Sequence, residues 1–412
     1  MFTSFSTALS ALNADSTAID VVGNNLANLN TTGFKVSNVS FHDLVSQSLG
    51  AGQGQTQVGF GVGNPVTQLQ FNQGAIQATG GSLDAAIQGD GFFVVNTPGG
   101  AAQYTRSGNF QVDANGNLTT ATGQFVQGWV PGNGVLNANG PTGNIVVPLG
   151  GLHAPVPTAN VSVDMNLNAA AANGDTFTTS VQVYDSLGTS HVISFTFTKT
   201  STANQWQYSI AFPNADLTSA GTPLTGSLTF NSSGILTSPT AGTTPPALAV
   251  SGLADGAANM NINWDILNQT IPRITQFSQP SAVSAQSQDG SPAANLVQVS
   301  LVNGGQVLAQ YSNGSQVVVG QLAMVSILNP ESFVSVGNNS FGLSASTALP
   351  ALGTPGTGGR GTVLGGSLEA SNADIARQFT NLIVFQRSYE ANAKVVTTVD
   401  QLSQATIGLK PQ

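Results

Sequence analysis

The chain has 412 residues, a net charge of −9 and no cysteine, and only 7% of its residues are charged. Those values exclude disulfides and thiolate metal sites and disfavour nucleic acid or an anionic membrane as partner, because the few basic residues are scattered. With 40% hydrophobic residues the chain collapses rather than staying disordered, and its length calls for two or three domains. A surface this poor in charge favours association of copies. No run of eighteen apolar residues occurs, so no membrane-spanning helix is expected. Met1-Phe2-Thr3-Ser4 lacks a basic region. The expectation is a protein without a cleaved secretory signal, although its Thr-, Ser-, Asn- and Gly-rich composition resembles that of exported bacterial surface proteins.

Phe2, Phe5, Leu9, Leu12, Ile19 and Leu26, with Val22 and Leu29 beside them, follow the three-then-four spacing of a helix with one apolar seam. Such a helix of about 28 residues is roughly 40 Å long and marginal alone in water, so it needs a partner. The Asn-rich run from Asn24 to Asn30 and Gly33 predict its end between Asn28 and Gly33. Residues 36–70, with glycines at 50, 52, 54, 59, 61 and 63, read as an extended flexible linker. Gly59-Phe60-Gly61-Val62-Gly63 has no strand–helix context and is not read as a dinucleotide loop.

From Phe71 short alternating strands begin. Asp113-Ala114-Asn115-Gly116-Asn117 alternates oxygen donors like a truncated calcium loop but lacks the closing Glu, so a hairpin turn is expected. A Gly-, Pro- and Asn-rich boundary follows at Pro131 to Pro148. Beyond it, Phe177 to Tyr184, the turn Asp185-Ser186-Leu187-Gly188, Ile193, Phe195 and Phe197 form a hairpin; Trp206, Tyr208, Ile210 and Phe212 alternate, as do Met260, Ile262 and Trp264. Alternating aromatics on strands are core residues more often than a sugar-binding platform.

After a second boundary at Pro272 to Pro292, strands between Val297 and Val319 complete the first sheet, and residues 342–369 form a second linker. Ser371 is expected as the N-cap of a last helix, with the carboxylate of Asp374 at its third position. In that helix Ile375, Phe379, Leu382, Tyr389, Val396 and Val399 repeat the helical period. The expected fold is therefore mainly β with helical termini. Residues 1–35 and 370–412 pair as a coiled-coil stem, 36–70 and 342–369 are linkers, 71–145 and 285–341 form a split inner β domain, and 146–284 form an inserted outer β domain.

His42, His153 and His191 have no carboxylate or second histidine at triad or ligand spacing, and no Walker, G-x-S-x-G or H-E-x-x-H pattern occurs. No catalytic, cofactor or metal site is expected, and the protein is read as not an enzyme.

One stretch combines Asn24, Asn25, Leu26, Ala27 and Asn28 with Thr31, Thr32, Gly33, Phe34 and Lys35. The other runs from Gly366 through Ser371, Asn372, Asp374, Gln386, Arg387, Tyr389 and Asn392 to Val396. Together they resemble the signatures of the bacterial flagellar rod and hook axial protein family. Gln88 to Phe93 and Tyr104 to Phe110 match further elements, so the resemblance covers residues 1–130 and 295–412.

Within that family the hook members are similar in carrying an inserted β domain. The resemblance implies a structural subunit that polymerises helically into a curved tube transmitting torque from rod to filament. Its implied partners are further copies, the distal rod, the hook cap, the hook–filament junction proteins and the flagellar type III export apparatus. Its implied location is extracellular, in the flagellum. Phe41 and Val45 resemble a hydrophobic pair that engages the export gate. Ala373 and Gln378 depart from the family pattern of Val and an acidic residue and imply a looser C-terminal seam. Two alternatives stand: a distal rod subunit, and a secreted carbohydrate-binding β protein that would expose Trp206 or Trp264.

Overall fold

The structure is a computed structural model that describes residues 2–44, 46–49, 56–132, 136–240, 245–268 and 271–408. The chain divides into two compact units. Unit 1 comprises Met1–Leu149, Gln298–Gln310 and Gln316–Gln412; unit 2 comprises Gly150–Val297 and Tyr311–Ser315.

Unit 1 carries the helices α1, Phe2–Ala27, and α2, Ile375–Gly408, which pack along one another. The end of α1 is set by asparagines that compete for backbone groups: Asn28 Nδ2 donates to the carbonyl of Asn24 at 2.9 Å. The start of α2 differs from expectation. Asp374, not Ser371, is the N-cap, since its Oδ1 accepts the backbone N–H of Arg377 at 3.1 Å. Ser371 Oγ instead accepts the N–H of Ala373 at 3.2 Å, one turn outside the helix.

The two expected linkers are not free connectors. In the first, Ser37–Ser40 pairs antiparallel with Val66–Leu69, and Ser46–Leu49 pairs with Thr56–Gly59. In the second, Thr362–Gly365 pairs with Ala85–Gln88, and Ser367–Glu369 with Ile76–Ala78. Glycine content suggested freedom, but neutral strand-forming residues between the glycines leave every N–H and C=O free to join a ladder.

The β body of unit 1 places Gln316–Leu322 beside Phe125–Trp129, then Phe92–Asn96, Ala102–Thr105, Ser340–Gly342 and Val334–Gly337. One face buries Phe92, Val94, Tyr104, Trp129, Val325, Phe333 and Phe341. Phe71 stands edge-on to Phe92 at 5.3 Å between centroids. At the Asp113 turn the carboxylate accepts the N–H groups of Asn115 and Asn117 at 2.9 and 2.8 Å, an Asx turn closing a hairpin.

Among the described residues of unit 2, two five-stranded sheets supply one core. Thr176–Tyr184, Ser190–Lys199, Gln205–Ala211, Leu224–Phe230 and Leu236–Ser238 form the first, and Asn160–Asn168 is central to the second. Because Ala282–Gln288 pairs with Asn160–Asn168, the unit extends past the boundary expected at residue 284. Trp206 and Trp264 are each 1% exposed within this core, which removes the platform the carbohydrate-binding alternative required.

Candidate functional site: the stem and its junction

The two recognised sequence stretches meet at one place, where α1 leaves the stem and the returning chain enters it. Glu369 is fully buried and accepts from Lys35 Nζ at 2.6 Å, Arg106 Nη1 at 3.2 Å and the backbone N–H of Gly74 at 2.8 Å. Lys35 also donates to the carbonyl of Asn72 at 2.7 Å, and Arg106 Nη2 to that of Gly89 at 2.9 Å. Burial lowers the pKa of Lys35, and the Glu369 charge and hydrogen bond oppose that shift. Two cations thus share one carboxylate out of reach of water.

Amides complete the junction. Asn372 Oδ1 accepts the N–H of Val36 at 2.9 Å while its Nδ2 donates to the carbonyl of Gln70 at 2.8 Å. Asn25 brackets Ser37 through both amide atoms, at 3.0 and 2.9 Å, and donates to Gln378 Oε1 at 3.2 Å. Gln378 therefore ties the seam together rather than loosening it. Gly33 has φ +68°, and a Cβ there would lie 2.6 Å from the carbonyl carbon of Arg106, so only glycine fits.

Along the stem the seam between helices is not the expected apolar row. Among the described residues, the side chains of α1 buried in the chain are Ala8, Ala14, Asp15, Ala18, Val22 and Asn25. Positions 8, 15 and 22 repeat at seven residues, as do 18 and 25. Asp15 Oδ2 accepts from Ser388 Oγ at 2.8 Å and from Asn392 Nδ2 at 3.0 Å, which pins the register of α2.

The larger residues lie off this seam. Phe5 and Leu9 are 41% and 45% exposed, and Leu12, Ile19 and Leu26 are half-buried. On α2, Ile375, Phe379 and Tyr389 are exposed, joined by Ile383, Val384, Val395 and Leu402, while Leu382, Val396 and Val399 are half-buried. Periodicity reveals a face; it does not say whether the partner is in the same chain.

Of the remaining expected residues, Asn24, Ala27, Gln386 and Arg387 are exposed; Asn28, Thr32 and Phe34 are half-buried. Arg387 pairs with Glu390 at 3.2 Å on the surface. Phe41 is exposed, with its ring 5.9 Å from that of Phe385. The Phe2 side chain and all of Val45 lie outside the described residues. Asp15, Arg106 and Glu369 were not singled out in the sequence. Their signal was scarcity: in a chain this poor in charge, an ionisable residue within an apolar helix or strand is seldom incidental.

Beside the junction a cleft of about 590 Å³ is lined by Asn28, Thr32, Thr105, Ser107 and Asn109, together with Lys35, whose ammonium is engaged by Glu369. Its neutral groups can donate and accept hydrogen bonds. His191 proves not to be isolated: its Nε2 is 3.0 Å from Asp185 Oδ2 and its Nδ1 2.7 Å from Asp216 Oδ2. Those carboxylates are six and twenty-five residues away. Neither spacing is a recognised motif.

A β body carried on paired terminal helices, with a charge-locked junction where the two ends meet, defines a mainly β structural protein with a helical stem. Family models described as flagella basal body rod protein, flagellar hook protein FlgE/F/G D1 domain, flagellar basal body protein FlaE D2 domain and flagellar basal body rod FlgEFG protein C-terminal match residues 5–35, 86–168, 152–291 and 364–409. The chain belongs to the flagellar hook protein family.

It is 33% identical to the flagellar hook protein FlgE of Escherichia coli strain K12, across 98% of this chain and 100% of the relative. Against FlgE of Treponema pallidum strain Nichols it is 33% identical with both chains covered in full. The crystal structure of Helicobacter pylori flagellar hook protein FlgE2 shares the fold, with a TM-score of 0.52 at 14% identity, over 70% of this chain and 99% of that one. These full-length relatives are hook proteins, which sets aside the distal rod alternative.

Proposed function

We propose that the chain is the structural subunit of the flagellar hook and polymerises into a helical tube through the apolar rows of α1 and α2. The observation that carries this reading is the exposure of Phe5, Leu9, Ile375, Phe379, Ile383 and Val384 on helices whose mutual seam is small and polar. Each large side chain buried between subunits contributes about 1.5–3 kcal/mol, so a row of them drives assembly. Contacts that repeat head to tail without closing give a filament. The stem helices line its inner wall. Bending is accommodated between subunits, where uncharged surfaces have few specific bonds to break, rather than within linkers that are paired into ladders.

The distal rod, hook cap, hook–filament junction proteins and type III export apparatus are the partners this role requires. The location is extracellular, after export without signal cleavage. During export Phe41 would engage the gate in the unfolded chain and pack beside Phe385 only afterwards.

The test compares monomer with material pelleted by concentration in salt, using amide hydrogen exchange. Residues 4–27 and 375–406 are expected to gain protection on pelleting, with strands of both units protected throughout. Phe5→Ser combined with Phe379→Ser should abolish the pellet and leave strand protection unchanged. A double variant that pellets like the parent would refute the proposal.

A further inference from the structure

His191 lies on the strand Ser190–Lys199 of unit 2, is 4% exposed, and presents both ring nitrogens to carboxylates on separate segments. Nδ1 meets Asp216 on the turn Asn214–Asp216, and Nε2 meets Asp185 on the turn after Thr176–Tyr184. Phe212 covers the ring at 4.9 Å between centroids. A neutral imidazole has one N–H and can satisfy only one of the two carboxylates; the other contact would set a ring lone pair against an anionic oxygen. The imidazolium satisfies both.

The two carboxylates are not equally free to leave. Asp185 is fully buried and its Oδ1 accepts the N–H groups of Leu187 and Thr189 at 2.8 and 2.9 Å, which fixes it in its turn. The Asp216 side chain is 35% exposed on a short turn. That turn borders a cavity of about 210 Å³ lined by Phe212, Leu217, Pro223 and Val250.

We propose that His191 is a pH-sensitive clamp: protonated, it ties the Asp216 turn to the Asp185 turn, and on losing its proton it releases Asp216 and loosens that end of unit 2. The charged groups facing the ring are Asp185 and Asp216, which it contacts directly, and the exposed Asp255, whose carboxylate lies within 4.8 Å of both His191 and Asp185. Burial by itself disfavours the charged ring, but the hydrogen bonds and charges of Asp216 and Asp185 outweigh it, so its pKa is raised above 6.5. A raised folded-state value contributes stability that is complete below 6.5 and is lost as pH rises through that value. The Asp185 carboxyl is held well below 3.8 despite its burial, by its bonds to His191 and the turn N–H groups; its contribution is lost only on acidification.

The experiment uses the full chain as monomer. Histidine Cε1–H resonances are followed from pH 5 to 9, with His191→Gln assigning the signal, and thermal unfolding of unit 2 is measured over the same range. The expected result is a His191 midpoint above 6.5. The unit 2 melting temperature should fall by about 2–4 °C through that midpoint, a step absent in His191→Gln. Asp216→Asn should move the midpoint down, a readout that holds even if the Gln variant folds poorly. A midpoint at or below 6.5, or one that Asp216→Asn leaves in place, overturns the proposal.

Discussion

Replacing Glu369 by Gln keeps the volume and one acceptor but strands Lys35 and Arg106 without a counter-ion. At an effective dielectric constant near 20, separations of 2.6 and 3.2 Å correspond to gross attractions of about 6 and about 5 kcal/mol. Desolvation in the parent has already offset much of that, and breaking a buried pair by removing one partner costs about 3–5 kcal/mol net. A second route gives the same figure. Lys35 can escape by shedding its proton, which for a group of ordinary value 10.5 costs about 5 kcal/mol at pH 7 and about 2 kcal/mol at pH 9.

The loss should therefore be near 3–5 kcal/mol at pH 7 and shrink as pH rises, because the unfolded state then binds the extra proton and stability increases with pH. The measurement is urea-dependent amide exchange of residues 92–129 in parent and variant at the two pH values. A deficit below about 1 kcal/mol, or one unchanged between pH 7 and 9, would refute this account of the junction.

Two further substitutions test its geometry. Gly33→Ala meets a left-handed φ that costs an L-residue about 1–2 kcal/mol, plus collision with the Arg106 carbonyl, and should lower the melting temperature of unit 1 while leaving unit 2 unchanged. Ala18→Leu inserts three carbons where the helices leave no space and should cost about 1–3 kcal/mol of stem pairing, seen as faster exchange of α1 amides; parent-like exchange would mean that α1 and α2 do not pack at this seam.

The sequence determined by itself what local physics controls. Heptad-like spacing placed both terminal helices, alternation placed the strands of the β units, Asn-Gly and Asp-led turns placed the hairpins, and the long Asn- and Thr-rich signature pointed to the family. Only the tertiary structure decided which face of each helix is satisfied within the chain. Phe5 and Leu9 gave the stronger periodic signal, yet the internal seam belongs to Ala8, Asp15 and Ala18, with Val22 the one expected apolar position that joins them. Small residues let helices approach closely and leave the large ones outward, and periodicity carries no information on who the partner is.

The same limit applies to the cap at Asp374, the ladders within the glycine-rich segments, the Lys35–Arg106–Glu369 junction and the His191 pair. The cap is a local choice between two neighbouring candidates, whereas the others join residues whose separation is set by topology, Lys35 and Glu369 being 334 positions apart. A pattern can reveal that a residue is unusual; only the fold brings its counter-charge to it.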